Sequence, residues 1–144
     1  MDILTNIVAA EEDELDAVAA SSRPLAEWSG VERPGIDTRM IAELHCLLTG
    51  EELDLALDGY EPVCVAEEGA IVLRLAEAAR ERLAALDDED IEPIAKELAA
   101  IEEFELAGWD AGAAYDWLVE LADLARLAEA QEQAIFVWMQ RSMG

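Results

Sequence analysis

The sequence predicts an α+β fold: one helix-rich domain over residues 1–144, with a small sheet formed by N- and C-terminal strands. Three observations predict it. Apolar runs rich in β-branched or aromatic residues stand near both ends, at Ile3-Leu4 and Ile7-Val8 and at Ala134-Ile135-Phe136-Val137-Trp138-Met139. Between them, several segments repeat apolar residues at helical spacing. The chain has 144 residues and is 53% hydrophobic, enough material for one core.

Residues 3–8 read as the first strand. The acidic run 11–14 opens a helix to about Ala20, because carboxylates in a first turn suit the helix dipole. Ser21-Ser22-Arg23-Pro24 breaks it, and Pro24 begins a short turn through Trp28. Residues 29–35 hold Gly30, Pro34 and Gly35 and read as loop. A helix follows from Asp37 or Thr38 to Thr49, with Ile41, Leu44, His45 and Leu48 on one face and Gly50 as its stop. A short helix over 51–58 ends at Gly59.

Residues 60–66 contain Pro62-Val63-Cys64-Val65 and read as a short strand, which Pro62 places at a sheet edge or a strand start. Residues 70–86 predict the most regular helix, on the period of Val72, Leu75, Ala76, Ala79, Leu83 and Leu86. Asp87 to Asp90 form a turn and cap. The next helix runs to about Phe104, with Pro93 tolerated in its first turn. Gly108 and Trp109 precede a last helix over about 110–132, and residues 134–139 close the chain as a buried strand.

The segment Leu44-His45-Cys46-Leu47-Leu48-Thr49-Gly50, preceded by Asp37 and Ile41, resembles the I-H-x-L-L-T-G stretch of the YfbM-like family of uncharacterised bacterial proteins. Tyr60-Glu61-Pro62 leading into a long helix, and an apolar strand after the last helix, are similar to that family's layout. The resemblance covers most of the chain. Where the family has an aromatic four residues before the histidine, this chain has Ile41. Where the family places a glycine between last helix and last strand, this chain has Glu132-Gln133. The resemblance implies an α+β fold and no particular chemistry.

Charge narrows the function classes. Nine Lys and Arg stand against 34 Asp and Glu, a formal net charge of −25. Such a surface repels the phosphates of nucleic acid and anionic membrane faces. A basic protein partner is its complement, as an inhibitor or immunity-type role would require. Solubility or adaptation to high salt explains the same charge. No run of 18 apolar residues occurs, so no membrane span is expected. The N-terminal residues lack the basic and apolar regions of a signal peptide, and the expected location is the cytoplasm. Cys46 and Cys64 form no C-x-x-C pair and are expected as free thiols.

The chain lacks G-x-G-x-x-G, G-x-x-x-x-G-K and G-x-S-x-G, so no nucleotide cofactor and no serine hydrolase chemistry is expected. The acidic clusters lack EF-hand spacing, and a single histidine allows no H-E-x-x-H, so no metal site is expected. His45 points inward or into a cleft, where it serves either as a hydrogen-bonded core residue or as an acid–base group. Tyr60 and Cys64 are the residues the fold can bring to it, while Cys46, about 100° away on the same helix, pairs poorly. Trp28 and Trp109, at helix–loop junctions, and Asp37 are the candidate binding residues. Two readings follow: a module that binds a basic protein, or a small enzyme or sensor with a cleft near His45 and Tyr60.

Overall fold

A computed structural model describes residues 3–21, 23–66 and 69–141 of the chain. Ser22, in the expected helix break, lies outside the described residues.

The two terminal strands pair with each other along their whole length. β1 (Ile3–Ala10) and β5 (Ala134–Arg141) run antiparallel in a register from Ile3 opposite Arg141 to Ala10 opposite Ala134. Around this central pair the sheet has the order β2 (Gly30–Pro34), β1, β5, β4 (Ile71–Arg74), β3 (Cys64–Val65), with every neighbouring pair antiparallel. Residues 5–10 of β1 are all buried, because helices cover both faces of the sheet. The larger core holds Ile7, Ala9, Leu73, Ile135 and Val137 against helices α2 (Thr38–Thr49), α4 (Glu77–Ala85), α5 (Asp88–Ala100) and α7 (Ala111–Ala130). The smaller core holds Val8, Val72, Phe136 and Trp138 against α1 (Leu15–Ala20).

Two expectations about the sheet are corrected. Residues 29–35 are not loop: Gly30–Pro34 form β2, an edge strand paired with β1 from Val8–Gly30 to Leu4–Pro34. Gly30 and Pro34 mark the ends of this strand rather than its absence. A Cβ on Gly30 would sit 2.3 Å from the Ile7 carbonyl oxygen, so only glycine lets the strands approach there. Residues 70–86 are not one helix. Ile71–Arg74 form β4, and the helix α4 spans Glu77–Ala85. Ile71-Val72-Leu73 is an apolar run whose sheet pairing overrides its helical period. Val72 fills the smaller core and Leu73 the larger, as neighbours in a strand must.

The other elements follow the expected order. α2 is Thr38–Thr49, capped by the Asp37 carboxylate, which accepts from the Met40 N–H at 2.9 Å. α3 is Leu53–Gly59, and β3 is Cys64–Val65 at the sheet edge. Residues 11–20 begin as a 3-10 turn, Glu12–Glu14, before α1. The helix expected to run to Phe104 breaks at Ile101, whose extended backbone separates α5 (Asp88–Ala100) from α6 (Glu102–Leu106). α7 (Ala111–Ala130) is the longest helix and packs on α4, α5 and the sheet. No described helix is long and apolar enough to cross a membrane.

Candidate functional site

His45 and Tyr60 meet because α2 ends where it does. Gly50 adopts φ 80°, and its N–H returns to the Cys46 carbonyl, which turns the chain sharply. Thr49 Oγ1 donates to the His45 carbonyl at 2.8 Å, and the Glu51 N–H donates to Thr49 Oγ1 at 3.3 Å. This turn swings Glu51 back over the last turn of α2, where its Oε2 lies 2.5 Å from His45 Nε2. α3 then carries the chain away and returns Tyr60, its C-terminal cap, to the other side of the same ring.

Tyr60 Oη lies 3.0 Å from His45 Nδ1, and the Ala76 N–H donates to Tyr60 Oη at 3.1 Å. The rings of His45 and Tyr60 meet edge to face, 5.4 Å apart. With a neutral imidazole, one assignment satisfies every group. Ala76 N–H donates to Tyr60, the Tyr60 hydroxyl donates to Nδ1, and Nε2–H donates to Glu51. Burial, opposed by the Ala76 N–H and reinforced by the Glu51 carboxylate, pushes the Tyr60 hydroxyl up to about 12. The phenol therefore stays protonated at neutral pH and serves as a donor. His45, with both nitrogens occupied, has no free lone pair to take a proton from a substrate.

Beside this chain of hydrogen bonds lies a cleft of about 340 Å³. His45 and Tyr60 form its buried floor, and α3 and the segment leading into β3 form its walls. Two apolar side chains at the cleft are conspicuously wet: Leu55 is 59% exposed and Val63 46%. Exposed carboxylates of Glu51 and Glu61 accompany them. Arg74 also reaches the cleft, but its guanidinium is paired with Glu12.

The remaining sequence candidates lie elsewhere. Cys64 packs on the smaller core, on the α1 face of the sheet, while His45 rides on α2 over the other face. Trp28 is half-buried on the smaller core, and its indole N–H donates to Glu14 at 3.0 Å. That bond and the Glu11 N–H, the larger cause, hold the Glu14 carboxyl below its usual range. Trp109 is half-buried edge to face with Phe104 and Trp117. Asp37 is engaged as the α2 cap. Cys46 is half-buried against the larger core, and burial, with Glu51 and Glu43 nearby, pushes its thiol up, away from thiolate reactivity.

Glu51, Leu55 and Val63 escaped sequence reasoning. Only Leu55 carried a signal, as an apolar residue on the polar side of a short helix. Glu51 needed knowledge of the turn at Gly50. Among the described residues, no group of three or more His, Cys, Asp and Glu side chains is placed to hold a metal ion.

No protein-family model matches the chain, and no curated protein matches it in sequence. Among solved structures, it is similar to a protein of unknown function, YfbM from Escherichia coli, across 95% of this chain and 99% of that one. The two are 16% identical, with a TM-score of 0.47.

Proposed function

We propose that this protein is a protein-binding module whose cleft beside His45 and Tyr60 receives a cationic, partly apolar segment of a basic partner. The observation that carries the reading is the pairing of exposed Leu55 and Val63 with the carboxylates of Glu51 and Glu61 at one cleft. Wet apolar groups beside acidic ones suit a partner that brings both an aliphatic and a positive group. The volume, at the small end of ligand pockets, suits one or two side chains.

The wider surface favours the same class of partner. Arg33, Arg39, Arg74, Arg80, Lys96 and Arg126 each pair with a carboxylate of this chain, which leaves a large acidic surplus. An inhibitor or immunity-type partner of a basic protein is the concrete form of this reading. Nucleic acid and anionic membranes meet repulsion instead. Two free thiols suit a reducing cytoplasmic setting.

The test is calorimetric titration of the full chain with a short peptide alternating lysine and leucine, at moderate salt. The Glu51→Gln/Glu61→Gln double variant should weaken binding by about tenfold, as for the loss of two rim charges. Equal binding by wild type and variant would refute the cleft as the site. Equal binding of free argininamide and the peptide would favour a small-molecule sensor over a protein-binding module.

A further inference from the structure

Away from the cleft, the opposite side of α2 carries a buried acid. Glu43 is only 7% exposed, and its Oε2 has no donor among the described residues. Its other oxygen receives the Arg39 Nε–H at a long 3.4 Å. Arg39 makes its closer pair, 2.7 Å, with Glu103 of α6. The one Arg39 Nε–H is thus shared between Glu43 Oε1 and Glu103 Oε1, which brings the two carboxyls together. Two carboxylates therefore face one guanidinium, and two acceptors cannot bond each other unless one carries a proton. A proton on Glu43 Oε2, donated to Glu103, resolves both the missing partner and the excess charge.

We infer that Glu43 and Glu103 share one proton at neutral pH, and that this proton, with Arg39, latches α6 onto α2. Burial first, then the Glu103 hydrogen bond and charge, raise the Glu43 carboxyl to about 7, against the opposing pull of Arg39. Glu103 is held low instead, first by its own backbone N–H and then by Glu43. The charged groups acting on Glu43 are thus Glu103 from α6 and Arg39 from its own helix, with the Cys46 thiol one turn further on. Among the described residues, no ion pair or side-chain hydrogen bond joins Glu43 to α3, α4 or α5. Folding raises the proton affinity of Glu43, so the latch is complete in mild acid and is lost as pH rises through about 7.

α6 is built to respond. It is five residues long, anchored by Phe104, which is fully buried against Trp109 and Trp117. At its far end Leu106 stands 79% exposed. Loss of the latch puts two charges at the α2–α6 contact and loosens this segment, with Trp109 as its optical reporter.

The test follows tryptophan fluorescence and amide-exchange protection of α6 in the full chain across neutral pH, for wild type, Glu43→Gln and Glu103→Gln. In wild type, the fluorescence should change with a midpoint near 7. Protection of α6, corrected for intrinsic exchange, should fall by up to about tenfold per pH unit as pH approaches that midpoint from the acid side, and level off above it. The amide introduced by Glu43→Gln donates to Glu103 at every pH, so this variant should lose the transition. If that variant fails to fold, Glu103→Gln serves, because removing the second charge should move the transition toward acid. A wild type without a transition, or one unchanged in both variants, would overturn the latch.

Discussion

Tyr60 puts three groups in order with one hydroxyl. It accepts the Ala76 N–H and, beside a neutral imidazole, donates to His45 Nδ1, which leaves Nε2–H for Glu51. Tyr60→Phe removes that oxygen and leaves a backbone N–H and a ring nitrogen without partners. The expected loss is about 1–3 kcal/mol in denaturant unfolding, the range for orphaned buried polar groups. A smaller loss would mean that water replaces the hydroxyl. The hydroxyl's raised pKa adds no pH dependence at neutrality. Its contribution is whole below the ordinary phenol value and is lost only as pH rises through about 12. At this scale the sequence nominated His45 and Tyr60 as neighbours, because a lone histidine on an apolar face must find partners nearby. It missed Glu51 because the contact depends on one left-handed glycine, and it missed the Glu43 pair because Glu103 comes from a helix far along the chain.

Elements show the same division between local and distant causes. The helix stripes, the Asp87 cap and the two long strands were legible, since spacing and capping chemistry are local. β2 and β4 were not, because their pairing with β1 and β5 decides them and their own residues are ambiguous. One junction carries strain. Glu132, between α7 and β5, sits at φ 56°, a left-handed conformation that favours glycine. It also places a negative charge just beyond a helix C-terminus, where the dipole disfavours it. Glu132→Gly should therefore stabilise the fold by about 0.5–1 kcal/mol, after the entropy cost of glycine is subtracted. Glu132→Ala, which keeps the Cβ, should recover only the smaller electrostatic part. Chemical denaturation of the two variants separates the causes, and an equal gain in both would remove strain from the explanation.

Across the whole molecule, charge is the dominant variable. A net charge of −25 on one 144-residue chain opposes its own compaction. Added salt screens that repulsion, so the melting temperature should rise by roughly 5 °C between about 0.05 M and 0.5 M sodium chloride. A flat profile would mean that the acidic groups are spaced too widely to matter for folding. Salt also divides the two meanings of the acidity. Diffuse attraction to a cationic probe fades with screening, whereas seating of an aliphatic group against Leu55 and Val63 persists. Amide chemical-shift mapping of the full chain, titrated with the lysine–leucine peptide at moderate salt, decides whether the cleft is where a basic partner binds. Binding at the cleft should concentrate the shifts at Leu55, Gly59, Val63 and Ala76, around the His45–Tyr60 floor. Shifts scattered over the acidic surface and vanishing with salt would contradict it.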